Sequence, residues 1–124
     1  MKTKGTVMIV DDDVDLLYEL SDMLALSDYR VVPCAAAEAA ARIASENKPD
    51  VILIDILMPG MNGLQVVEAL RRSADSAATP IVMMSGRCTE SEGATLARIN
   101  RFAAFVEKPI SPFDLFSTLE KVIS

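Results

Sequence analysis

Six side chains far apart in the sequence carry groups suited to phosphate or metal chemistry. They are the carboxylates of Asp11, Asp12, Asp13 and Asp55, the hydroxyl of Ser85 and the ammonium of Lys108. Each stands at the end of a strand-like stretch or just beyond it. Crowded carboxylates repel one another by about 1–4 kcal/mol per close pair when partly exposed. A hard, oxygen-liking divalent ion such as Mg²⁺ offsets that repulsion, and it suits a shallow site because it keeps several of its waters. Asp55 closes the run Val51-Ile52-Leu53-Ile54, at the mouth of the core, where an idle charge is costly. A nucleophilic carboxylate there needs a cation and a fixed positive side chain to take up the charge of an incoming phosphoryl group. Lys108, held by Pro109, can supply the second. Ser85 offers a small donor, and Gly86 after it leaves room for a bulky group to approach. The same residues admit blander readings. Asp13, and the acidic run as a whole, suits the positive end of a helix. Asp55 could cap the Pro59-Gly60 turn, and Lys108 could be a solvated lysine.

The elements that must position these groups alternate between two periodicities. Apolar runs of strand length occur at Thr6 to Val10, Arg30 to Cys34, Val51 to Asp55, Ile81 to Ser85 and Ala104 to Glu107. Between and after them lie helical patterns. The first, about Val14 to Leu26, has the stripe Leu16, Leu17, Leu20, Met23 and Leu24, with Asp12 or Asp13 as its cap. The second is the alanine-rich stretch from about Ala37 to Glu46. The third carries Leu64, Val67 and Leu70. The fourth, about Thr89 to Ile99, is the weakest, with Gly93 inside it and Leu96 and Ile99 as its strong apolar anchors. The last starts near Pro112, capped by Ser111, and offers Leu115, Phe116, Leu119 and Val122. Strict alternation predicts an α/β domain with an all-parallel sheet. The flavodoxin-like (βα)5 order 2-1-3-4-5 fits best, and its ligands bind beyond the carboxyl ends of the strands at the switch point between the first and third.

Composition narrows the function further. The 124 residues suit one compact domain, expected to run over 1–124. No stretch of about eighteen apolar residues is free of charge, and the first residues lack the pattern of a signal peptide, so a cytoplasmic protein is expected. A net charge of −6 argues against a general nucleic-acid binder. Arg71-Arg72 reads as the solvated end of a helix. The absence of histidine removes His-based acid–base catalysis, Ser-His-Asp triads and His-ligated zinc. The two cysteines, Cys34 and Cys88, form neither a metal quartet nor a disulfide framework. On the expected fold their strands are not neighbours, which forbids a bridge.

Four segments in order resemble the receiver domains of bacterial response regulators. They are Ile9-Val10-Asp11-Asp12-Asp13, then Asp55-Ile56-Leu57-Met58-Pro59-Gly60-Met61-Asn62-Gly63, then Ser85-Gly86, and finally Phe105-Val106-Glu107-Lys108-Pro109. The resemblance spans nearly the whole chain, and the second segment is its most specific part. It implies that Asp55 is the phosphoacceptor of a two-component or phosphorelay system, served by a histidine kinase or phosphotransfer protein. It implies Mg²⁺ bound directly by Asp12, Asp55 and the backbone carbonyl of Leu57, with Asp11 acting largely through water. Lys108 would bind a phosphoryl oxygen, and the Lys108-Pro109 peptide would be cis. Ser85 would swing toward the phosphoryl group and Phe105, otherwise a plain core aromatic, would change rotamer. Those changes would reshape the face of the fourth helix, fifth strand and fifth helix, where a downstream protein would dock. A monomer or a weak phosphorylation-dependent dimer is implied, and no turnover of a separate substrate. The chain departs from the family at Asn100-Arg101-Phe102-Ala103-Ala104, where a Gly-Ala step is usual, and Asn100 is expected to take the left-handed backbone position.

Rival readings separate on single residues. A pseudo-receiver would use the same fold as a protein-interaction module without phosphorylation, and Mg²⁺-dependent modification of Asp55 distinguishes it. An aspartate-nucleophile phosphatase needs a second acid two residues beyond the nucleophile, where this chain has Leu57. A flavodoxin-like cofactor binder needs a Gly/Ser/Thr phosphate loop after the first strand, where this chain has three acids.

Overall fold

A computed structural model describes residues 3–56, 63–86 and 90–123 of the chain. The strands are β1 (Gly5–Val10), β2 (Tyr29–Cys34), β3 (Val51–Asp55), β4 (Ile81–Ser85) and β5 (Ala104–Glu107). The helices are α1 (Val14–Leu26), α2 (Ala40–Asn47), α3 (Gly63–Arg72), α4 (Glu90–Ile99) and α5 (Pro112–Ile123). The strands pair in parallel in the order β2-β1-β3-β4-β5, the order expected from the sequence.

Because successive strand residues point to opposite faces, the continuous apolar runs feed two cores. Met8, Val10, Ile52, Ile54 and Met83 face α2 and α3, meeting Ala40, Ala44, Val66, Val67 and Leu70. Val7, Ile9, Leu53, Val82 and Met84 face the other way, onto Leu17, Leu20 and Leu24 of α1 and Leu115 and Leu119 of α5. Each such side chain, fully buried, contributes about 1.5–3 kcal/mol. The sheet is therefore a stiff platform on which polar groups at its edge can be held.

Three local expectations need correction. The alanine-rich helix does not begin as an α-helix: Ala37–Ala39 form a 3-10 turn, and α2 starts at Ala40. Neither Ala36 nor Ala39 has a side-chain oxygen to cap the start, so the first turn tightens instead. Ile99 does not anchor α4, being 69% exposed; Ala97 and, just past the helix, Phe102 pack against the core. The left-handed residue after α4 is Arg101, with φ 58°, and not Asn100. Phe102 N–H donates to the Ala97 carbonyl at 2.8 Å and Arg101 N–H to that of Arg98 at 3.3 Å. This is a Schellman ending, whose left-handed position is one that glycine usually fills. Burial of Phe102 fixes its register.

Arg71 also departs from expectation. Arg72 is exposed and pairs with Glu68 one turn earlier, but Arg71 turns inward across the α3–β4 connection. Its Nη1 donates to the carbonyls of Ala77 at 3.1 Å and Thr79 at 2.7 Å.

Candidate functional site at the carboxyl edge of the sheet

β1 ends at Val10, so Asp11 is the first residue past the strand. Its N–H donates to the Cys34 carbonyl of β2 at 3.1 Å, which keeps it in line with the sheet. Its carboxylate is completely buried. One oxygen, Oδ1, accepts from the Asp13 N–H at 2.9 Å. Asp13 in turn caps α1 by accepting from Leu16 N–H at 3.2 Å, as the bland reading of that residue held. Asp12 between them is exposed.

Asp55 closes β3 opposite Met84 of β4 and is 7% exposed. Lys108 lies one residue past β5. Its N–H donates to the Ser85 carbonyl at 3.0 Å, which fixes the backbone there. Its Nζ sits 3.0 Å from Asp55 Oδ2 and 2.8 Å from Asp11 Oδ2. The sequence pairs Lys108 with Asp55 alone; its contact with Asp11, 97 residues away, has no signal in the spacing. Ser85 is buried at the end of β4. Phe105 is half-buried against the core on the Met83 side, less enclosed than a plain core aromatic. The Lys108-Pro109 peptide is cis, as the resemblance implies. Leu57 and the rest of the segment 57–62, and likewise Cys88, lie outside the described residues. Cys34 is a free, buried thiol.

Two glycines shape this edge. Gly63 opens α3 so close to β3 that a Cβ there would lie 2.5 Å from Ile56 Cα and 2.6 Å from the Asp55 carbonyl oxygen. At Gly86 a Cβ would meet Lys108 Cβ at 3.2 Å.

Among the described residues, Lys108 is the cation that holds this acidic site. Burial pushes the Asp11 carboxyl above its ordinary value of 3.8, and the hydrogen bonds from Lys108 and Asp13 N–H only partly oppose this. Burial alone would lower Lys108, but its hydrogen bonds to Asp11 and Asp55 win and raise it above 10.5. The Asp11 contribution to stability is complete below pH 3.8 and is lost as pH rises through its raised value, so its charged form is a cost at neutrality. The Lys108 contribution persists through neutrality and is lost only as pH rises through its own raised value.

Carboxylate oxygens of Asp11, Asp12 and Asp55 lie within 4.8 Å of one another. An all-oxygen donor set of this kind, with one member open to solvent, fits a hard divalent ion that retains water. A metal bound there must compete with the proton on Asp11. Stabilisation by added Mg²⁺, read as a rise in Tm, is therefore expected to be larger at roughly pH 8 than at roughly pH 5. Equal shifts at both would separate Asp11 from the ion.

The fold and this edge together define a class. The family model for the response regulator receiver domain matches residues 7–120, and the chain belongs to that family. Protein PilH of Pseudomonas aeruginosa is 29% identical over 118 residues, spanning 95% of this chain and 97% of PilH. The transcriptional regulatory protein PrrA of Mycobacterium tuberculosis is 40% identical over 85 residues, which are 68% of this chain but 36% of PrrA. The chain thus spans almost all of PilH but about half or less of several longer relatives, such as the 47% of the probable transcriptional regulator ycf27 of Guillardia theta. Among solved structures, the chemotaxis protein CheY4 of Vibrio cholerae superposes with a TM-score of 0.86 at 27% identity, covering 98% of this chain and 99% of that one. A response regulator of Desulfuromonas acetoxidans does so at 0.85 and 26%, with 95% coverage of both. Among the described residues no helix is long and apolar enough to cross a membrane.

Proposed function

We propose that this chain, as a single receiver domain over residues 1–124, accepts a phosphoryl group on Asp55 from a phosphohistidine and signals by protein contact or onward transfer. The observation that carries the reading is the Lys108 ammonium bridging Asp55 and the buried Asp11 at the rim of an acidic cluster. Nucleophile, fixed cation and metal-ligating carboxylates converge there from three strands. In the step, an Asp55 carboxylate oxygen forms a bond to phosphorus as the bond from phosphorus to the donor's imidazole nitrogen breaks. The electron pair of that bond leaves with the imidazole. Lys108 then meets a phosphoryl oxygen, and Ser85 donates to another. Asp11, Asp12 and Asp55, with the Leu57 carbonyl, would hold Mg²⁺, which supplies positive charge for the transferring group. Lys108 and Asp13 N–H favour the charged form of Asp11 that this role needs, against the opposing effect of its burial.

A phosphoryl group needs the space and the ammonium now shared with Asp11, and this supports a switch. Ser85 and Phe105 lie on β4 and β5 beside the site, so their rearrangement is proposed to alter the face formed by α4, β5 and α5 for a downstream target. Turnover of a separate substrate, nucleic-acid binding and membrane attachment have no part in the reading. A cytoplasmic protein, monomeric or weakly dimerising on phosphorylation, fits it. The test is transfer from a phosphorylated histidine phosphotransfer protein in Mg²⁺, followed by borohydride trapping and peptide mass mapping. Reduction should mark Asp55. A trapped label elsewhere, or none, would favour the pseudo-receiver.

A further inference from the structure

The opposite edge of the sheet holds a second feature. The α3–β4 and α4–β5 connections run side by side there and border an open groove of about 520 Å³. Arg71, Thr79 and Pro80 line one wall, and Ile99, Arg101 and Ala103 the other. The chain carries 18 acidic and 12 basic residues, yet among the described residues the lining holds two arginines and no acid. Arg71 is fixed through Nη1 to two carbonyls, which leaves its Nε and Nη2 without a partner among the described residues. Arg101 is exposed and makes no ion pair among the described residues. Ile99 is 69% exposed beside it.

Arg101 is also held at φ 58°, where a non-glycine residue costs about 1 kcal/mol. Glycine would close the same Schellman turn without that cost. The strained turn sets the Arg101 side chain, exposed, on the wall of the groove, where it can be used. We propose that this groove docks an acidic segment of a partner protein that carries an apolar side chain. The carboxylates meet the guanidinium groups of Arg71 and Arg101, whose planar forks suit them, and the apolar side chain covers Ile99. A bare inorganic anion would leave Ile99, Pro80 and Ala103 wet and gain nothing from them. The groove lies one strand length from Ser85, about 15 Å, so docking there leaves the Asp55 edge open and does not depend on its chemistry.

The probe is the peptide acetyl-Asp-Glu-Leu-Glu-Asp-amide, titrated into isotope-labelled protein at low ionic strength, with acetyl-Lys-Lys-Leu-Lys-Lys-amide as control. The amides of Thr79, Arg101 and Ala103 should shift at roughly millimolar acidic peptide, the weak end of specific recognition, and not with the lysine peptide. Arg101→Gly should melt at a higher temperature than wild type yet bind about tenfold more weakly, which separates docking from folding. Ile99→Ala should weaken binding while keeping the fold. The proposal is overturned if the shifts centre instead on Phe105 and Lys121, if both peptides bind alike, or if Arg101→Gly binds as wild type does. Absence of any shift at that concentration overturns it too. So does movement of the same amides with protein concentration alone, since a second copy would then be the occupant.

Discussion

Gly63→Ala will lower both stability and phosphorylation, although the substitution adds only one methyl group and changes no polar side chain. The new Cβ would stand 2.5 Å from Ile56 Cα and 2.6 Å from the Asp55 carbonyl oxygen, and both are backbone. Neither can rotate away, so α3 or the end of β3 must move. Gly63 N–H also donates to the Ile56 carbonyl at 2.8 Å, and this bond is lost or stretched by the same movement. Overpacking of this kind costs about 2–3 kcal/mol, a fall in Tm of about 10 °C for a domain of this size. Displacing the end of β3 also moves Asp55 relative to Lys108, 3.0 Å away. An ångström-scale misplacement slows reaction roughly a hundredfold. Gly86→Ala is the natural control, because its nearest contact is the Lys108 Cβ at 3.2 Å and its stability loss should be smaller. Thermal melts and acetyl phosphate labelling rates read both effects. A Gly63→Ala protein that melts and labels like wild type would contradict the placement of α3 against the acceptor.

Lys108→Met will weaken the metal-free protein and strengthen its hold on Mg²⁺. The substitution keeps an unbranched side chain, one atom shorter, but removes the one cation bound to Asp11 and Asp55 among the described residues. Asp11 is fully buried, so its carboxylate is left desolvated and unpaired, at a cost of about 3 kcal/mol near neutrality. The loss shrinks at lower pH, where Asp11, already raised by burial, takes up a proton. A divalent ion restores the missing charge. Apparent Mg²⁺ affinity should therefore rise by roughly tenfold, an electrostatic gain of the size expected for one charge at a partly buried site. The rise in Tm on saturating with Mg²⁺ should exceed that of wild type. On the proposed function, a phosphoryl group in the variant would lose its ammonium contact, and the proposed rearrangement of Phe105 and the α4–β5–α5 face should be lost with it. Calorimetric titration with Mg²⁺ decides the first part. An affinity equal to or below that of wild type would show that Lys108 and the metal do not share the carboxylates.

The order of strands was readable from the sequence, because alternation with right-handed crossovers leaves few arrangements, and the same reading puts the candidate site at the carboxyl edge. Parallel strands buried on both faces read as unbroken Val, Ile and Leu runs, and their carboxyl ends lie on one side of the sheet. That logic brought Asp11, Asp12, Asp55, Ser85 and Lys108 together across gaps of many tens of residues. Local pattern failed where a tertiary contact overrode a propensity. Asparagine is the better left-handed residue, yet burial of Phe102 set the register of the helix end and put Arg101 in that position. Alanine favours helix, but it offers no capping oxygen, so composition could not say where α2 would begin. The contact of Lys108 with Asp11 depends on how far a flexible side chain reaches across the top of β1, which no spacing encodes. The inward turn of Arg71 is likewise a choice among rotamers, settled by two bare carbonyls in the α3–β4 connection.

Intact mass decides whether Asp55 is a metal-assisted phosphoacceptor. Wild-type protein and Asp55→Asn are incubated with acetyl phosphate, with Mg²⁺ and with chelator. One added phosphoryl group is expected on wild type in Mg²⁺ only, and none on Asp55→Asn under either condition. A wild-type protein that stays unmodified in Mg²⁺, or an Asp55→Asn protein that gains the same mass, would contradict it.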